Sequence, residues 1–175
     1  MNITLAQAVP LKGIIARRIQ ELIQERNNVS TVTVENGVHA ELPARSMEEV
    51  TKELEQTRED FRKLDVIMTH ANLSNFIKWD NNNITITESI ELAKQIRGEV
   101  NSLKSFGNRK KQEKENNWRN PLDKPSTTHT TYEPEEYRQK ALKLERQVNK
   151  LSQDIEAKNH SVEITFVAAD RYIEI

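Results

Sequence analysis

The stretch from Met47 to Asn72 limits this chain more than any other. Within it Met47, Val50, Leu54, Thr57, Phe61, Leu64, Met68 and Ala71 follow one another at intervals of three and four residues, the spacing that lines apolar side chains along one seam of a helix. Ser46 and Glu49 stand in the relation of a capping box, which marks where the helix starts. At 1.5 Å per residue such a rod runs about 39 Å, longer than a chain of 175 residues buries within a compact globule. It demands long partners.

The remaining chain supplies them. A first helix is predicted over about 4–28, capped by Thr4, with Leu5, Ala8, Leu11, Ile15, Ile19 and Leu22 along one side. Pro10 lacks an amide N–H and crowds the preceding turn, which predicts a kink there or a fresh start with Pro10 first in the helix. Gly13 weakens the same region by about 1 kcal/mol relative to alanine. Alternation at Val32, Val34, Val38 and Ala40 around Asn36-Gly37 predicts a β-hairpin over about 30–41. After the capped helix at about 47–73, FIKWDNNNITI predicts a second hairpin over about 76–87, turning at Asp80 to Asn83. A third helix over about 88–106, capped by Thr87, carries Ala93, Ile96, Val100 and Leu103, and an extension to 115 is left open. The fourth, over about 134–159, has Tyr137, Ala141, Leu144, Val148, Leu151 and Ile155 in regular alternation of four and three. In the tail, 161–175, alternation at Val162, Ile164 and Phe166 predicts a strand that pairs with a hairpin or a neighbouring subunit. The fold class is mainly α: four long amphipathic helices in a coiled-coil-like bundle, with short β-hairpins and a C-terminal strand, in a single helical domain. Seams of this length predict a homo-oligomer.

Composition narrows the functions. The formal net charge of −1 provides no global field toward nucleic acid, so neither DNA nor RNA is expected as a partner. Cysteine is absent, which removes disulfides and thiolate chemistry and suits the cytosol. No apolar run approaches the ~20 residues of a membrane span, and the amino terminus lacks the apolar stretch of a signal peptide, so a cytoplasmic protein without a membrane partner is expected. There is no G-x-x-x-x-G-K-[ST], G-x-G-x-x-G, H-E-x-x-H or G-x-S-x-G, and four glycines build no phosphate cradle. His39, His70, His129 and His160 fall in different elements without a metal-ligand repeat. The adjacent carboxylates Glu48-Glu49, Glu59-Asp60 and Glu135-Glu136 read as solvated helix faces. No enzyme, cofactor or metal is expected.

One segment differs from the rest. Between Lys104 and Arg119 lie six basic residues (Lys104, Arg109, Lys110, Lys111, Lys114, Arg119) against two acidic ones (Glu113, Glu115), with Trp118 among them. Two prolines and the run Ser126 to Thr131 follow, which predicts a basic surface loop over 107–133. Guanidinium and ammonium donors beside an aromatic face grip phosphates and stack a base. Arg109, Trp118 and Arg119 are the leading candidates for a ligand site, with Lys110 and Lys111 as supporting charge and Asn108, Asn116 and Asn117 as hydrogen-bond partners. The competing reading is a solvated helix end, with Trp118 anchoring the loop.

TLAQAVPLKGIIARRIQELIQER, THANLSN, ITITESIELAKQIRGEVNSL and LSQDIEAKNHSVEI together resemble the septicolysin-like proteins of bacteria and their phages. Leu5-Ala6-Gln7-Ala8-Val9 matches that family's Leu-x-Glu-Ala-Leu with glutamine for glutamate, and Asn72 and Asn159 match its recurring asparagines. Pro10, Thr69 and a tail continuing past Ile164 depart from it. The resemblance implies an α-helical, coiled-coil-like oligomer, and the family name hints at a haemolysin.

The expected function is a non-catalytic oligomeric binding protein that captures a small anionic, plausibly nucleotide-derived ligand. Such a use suits a phage protein that sequesters an immune signal in the host cytoplasm. The alternatives are a coiled-coil scaffold that binds protein and no small ligand, and a haemolysin-like pore former. The hairpin segments fall short of the ~10 residues per strand that a membrane barrel uses.

Overall fold

The computed structural model describes residues 1–34, 36, 39, 42–115 and 126–173. Its elements run β1 (Asn2–Thr4), α1 (Leu5–Asn28), α2 (Met47–Ser74), β2 (Phe76–Trp79), β3 (Asn82–Thr85), α3 (Ile86–Gly107), β4 (Gln112–Glu115), β5 (Ser126–His129), α4 (Pro134–Ser161) and β6 (Glu163–Thr165), then a 3-10 turn at Val167–Arg171. The fold is mainly α with small two-stranded antiparallel sheets, as the periodicities predict. The chain divides into two compact units: Met1–Phe76 with Glu156–Ile175, and Ile77–Ile155.

In the first unit α1 and α2 form an antiparallel helical pair. Leu22 packs with Val50 and Leu54, flanked by Ile19, Ile23 and Val29, while an ion pair from Lys12 to Asp65 ties the opposite ends of the two helices. Both helices start at full capping boxes, Thr4 with Gln7 and Ser46 with Glu49, which satisfy amide donors that the first turn leaves open. Helix α1 runs unbroken through Pro10, so the fresh start does not occur. Pro10 lies on the exposed face, where its missing N–H costs one helical hydrogen bond and no core contact.

Strand β1, which nothing in its three residues predicts, pairs antiparallel with β6: Ile3 opposes Ile164, both buried, and Phe166 N–H donates to the Met1 carbonyl at 3.1 Å. The expected tail strand over 161–175 is therefore cut to Glu163–Thr165 and takes the amino terminus as its partner. Beyond Phe166 the alternation lapses into Ala168-Ala169-Asp170, which turns instead of extending. Of the hairpin expected over about 30–41, the described residues 31–34 carry no strand; Glu35, Gly37, Val38, Ala40 and Glu41 lie outside the described residues.

In the second unit, β2 and β3 form a hairpin with a two-residue turn, shorter than the predicted one, because Asp80 takes a positive φ of 49° that a short polar side chain tolerates. Thr85, not Thr87, caps α3, its hydroxyl accepting from Glu88 N–H at 3.1 Å, so Ile86 joins the helix. Helices α3 and α4 run antiparallel, joined by Lys104 to Glu145 at 2.6 Å and Arg97 to Ser152 at 2.6 Å. Helix α3 stops at Gly107 and does not extend to 115, and a Cβ there would lie 2.9 Å from the Arg138 amide nitrogen. Gly98, in mid-helix, faces open space.

Two glycines of one helix should therefore respond with opposite signs. In urea unfolding followed by circular dichroism, Gly98→Ala should gain about 0.5–1 kcal/mol, and Gly107→Ala should lose about 1–3 kcal/mol.

Candidate functional site

The predicted basic loop over 107–133 is in its described parts a hairpin with a fixed base. Strands β4 and β5 pair in register from Gln112 with His129 to Glu115 with Ser126. Sequence missed them because the residues Gln-Glu-Lys-Glu have little strand preference, and the pairing is set by residues more than ten positions away. Phe106, Tyr132 and Tyr137 pack ring against ring at its foot, with centroids 4.8 to 5.7 Å apart, spacings at which edge-to-face contacts are favourable. The Tyr132 hydroxyl donates to the Phe106 carbonyl at 3.3 Å, and Arg138 donates to the Gly107 carbonyl at 3.1 Å. The end of α3 and the start of α4 thereby hold the hairpin.

This geometry brings four of the predicted site residues to one corner. Asn108 is the C-cap of α3, its N–H donating to the Lys104 and Phe106 carbonyls. Arg109 follows, with its guanidinium 5.8 Å from the Phe106 ring centroid. Lys110 lies 3.8 Å from Glu113, both exposed, a separation that leaves its charge nearly free in water. Lys111 is ion-paired with Glu133 and donates to the Tyr132 carbonyl at 3.1 Å, so it holds the hairpin foot and is not available as free charge. Lys104 is spent on Glu145. Arg109, Lys110, Lys111 and Lys114 are the exposed cations among the described residues of the segment, and of these Lys111 is held by Glu133. Asn116, Asn117, Trp118 and Arg119 lie outside the described residues.

A second constellation, in the first unit, escaped the sequence reading. Asp60 is not on a solvated face: it is 2% exposed and accepts hydrogen bonds from Tyr172 Oη at 2.8 Å, Arg171 Nη1 at 3.0 Å and Gln56 Nε2 at 3.1 Å. A buried carboxylate is tolerable only when so paired. Two of the three donors come from the tail, so this contact straps residues 166–173 onto α2. Burial, and then the Asp60 hydrogen bond, push the Tyr172 hydroxyl up to about 12 from its ordinary 10.0, so it stays a donor. The signal lay in the seam: Asp60 follows Thr57 by three and precedes Leu64 by four, on the buried face of α2.

Beside the strap, Arg18 donates to Glu53 at 2.7 Å and contacts Glu21 at 3.2 Å, and Arg45 joins Glu53 to Glu25. Burial alone would raise the Glu53 carboxyl, but hydrogen bonds from Arg18 and Arg45, with their charges, outweigh it and hold it below its ordinary value. The stability it contributes is thus present above the ordinary carboxylate pKa and lost as pH falls through its lowered one. Among the described residues no group of three or more carboxylates and histidines converges on a metal position.

No family model and no curated protein matches the chain. Among solved structures it is similar to the crystal structure of a functionally unknown conserved protein from Corynebacterium diphtheriae, with a TM-score of 0.62 at 18% identity, over 94% of this chain and 100% of that one. At that identity the likeness shows a shared mainly-α fold and nothing of activity.

The strap makes a direct energetic prediction. Asp60→Asn should lower stability by about 1.5–3 kcal/mol and Tyr172→Phe by about 0.5–1.5 kcal/mol. Because the folded hydroxyl titrates above its free value, the Tyr172 contribution should be intact below pH 10.0 and vanish as pH climbs through about 12. A phenolate absorbance titration, wild type against Tyr172→Phe, reads this step.

Proposed function

We propose that this chain is a non-catalytic oligomeric binding protein that captures a small anionic ligand, a nucleotide-derived signal, at its basic hairpin. The observation that carries this reading is the corner where the Arg109 guanidinium lies 5.8 Å from the Phe106 ring centroid while Lys110 and Lys114 stay exposed, beside a foot of three packed rings. A guanidinium held within cation–π reach of an aromatic ring, 5.8 Å from its centroid, loses part of its freedom before a ligand arrives, which lowers the ordering cost of binding a phosphate. Trp118 and Arg119, further along the same segment, would add a stacking face and a second guanidinium. In an oligomer, copies of one such corner brought together form a deeper pocket than a single chain offers. Capture without turnover agrees with the lack of catalytic motifs.

A second reading, a protein-interaction scaffold, is favoured by apolar side chains left open on the first unit, Val66 at 68% and Val167 at 82% exposure. Among the described residues no helix is long and apolar enough to cross a membrane.

The full chain, purified and titrated calorimetrically with cyclic dinucleotides and ADP-ribose, should bind at least one of them. Arg109→Ala, alone and with Arg119→Ala, should weaken that binding by about tenfold or more, and added salt should weaken it further. Absence of binding, or an affinity indifferent to both substitutions, would reject the reading.

A further inference from the structure

Helices α1 and α2 and the strap line, within the first unit, an open cleft of about 650 Å³, in the ~300–1,000 Å³ range of small-molecule sites. Most of its charged lining is already committed. Arg18 is held by Glu53 and Glu21, and Arg171 by Asp60. Arg17 is different: it lines the cavity, stays exposed and has no ion-pair or hydrogen-bond partner among the described residues. Ile14, one turn before Arg17 on α1, and Tyr172 and Ile173 from the strap add apolar and aromatic surface to the lining. Gln56 Nε2 is spent on Asp60, which leaves its carbonyl oxygen as an acceptor at the rim.

From this lining we infer a second ligand site, distinct from the basic hairpin: the strap cavity takes a small amphipathic organic anion, its apolar or aromatic body against Ile14, Tyr172 and Ile173 and its anionic group on Arg17. A cation would meet carboxylates whose charge arginines already offset. A wholly apolar ligand would leave the guanidinium of Arg17 unused. An aromatic body with one anionic group satisfies both halves of the lining. A second cavity of about 690 Å³ also borders the strap, where Val66, Ile67, Phe166 and Val167 meet Arg62, Lys63 and Arg171; it is the competing site for an amphipathic anion and the natural control, since it shares the strap but not Arg17.

The full chain titrated with anilinonaphthalene sulfonate, which joins an aromatic body to one anion, tests the assignment. The site predicts saturable fluorescence that Arg17→Glu weakens by about tenfold or more, while Val167→Asp, in the second cavity, leaves affinity within about twofold. Both substituted residues are exposed, and an unchanged circular dichroism spectrum confirms that each variant folds. Failure to saturate, an affinity indifferent to Arg17→Glu, or loss of binding in Val167→Asp would overturn the inference. Since neither variant touches the hairpin, the result stands apart from nucleotide binding there.

Discussion

The carboxylate of Asp60, buried on α2 and receiving three hydrogen bonds, is the contact on which the organisation of the first unit turns. An unpaired charge at that depth would be strongly unfavourable, so the tail is drawn in to supply Arg171 and Tyr172. Once there, it becomes a wall of both cavities. The β1–β6 pairing positions the tail for this role: with Ile3 opposite Ile164 and Phe166 bonded to Met1, only a short 3-10 turn separates the sheet from the two donors. The tail is thereby joined to the amino terminus by backbone hydrogen bonds and to α2 by an ion pair from the exposed Arg171 to the buried Asp60.

The helices were legible because their signals are local and repeated. The seams over α1, α2, α3 and α4 each offer several apolar positions at helical spacing, and the caps Thr4 and Ser46 lie where their hydroxyls are needed. What escaped was short or non-local. Strand β1 has three residues, too few for alternation to register, and exists because the tail lies beside it. Strand β4 is Gln-Glu-Lys-Glu, a composition that reads as loop. Alternation from Ile84 to Ile86 carries the hairpin up to Ile86 and puts the predicted cap at Thr87, whereas the hydroxyl that reaches Glu88 is that of Thr85. Asp60 was misjudged for a related reason. Paired in sequence with Glu59 it resembles surface charge, while its position three after Thr57 places it on the buried face.

The candidate site was half legible. Local charge density pointed to the segment after Lys104, and the structure does place Asn108, Arg109, Lys110 and Lys111 together. Charge counting does not reveal which cations are spent. Lys104 and Lys111 are engaged by Glu145 and Glu133, partners 41 and 22 residues away, and the free charge is smaller than the sequence total. The same distinction governs the strap cavity, where three arginines line one space and Arg17 alone is uncommitted among the described residues. In both places an uncommitted guanidinium shares its surroundings with an aromatic side chain, Phe106 at 5.8 Å from Arg109 in one and Tyr172 in the lining with Arg17 in the other.

Hydrogen–deuterium exchange of the wild-type tail bears most directly on this account. If the Asp60 contact holds the strap down, the amides of Ala169, Tyr172 and Ile173, which bond to the carbonyls of Phe166 and Ala169, should exchange slowly, with protection approaching that of α2. Exchange of those three amides at the rate of an unstructured peptide, with α2 still protected, would contradict it.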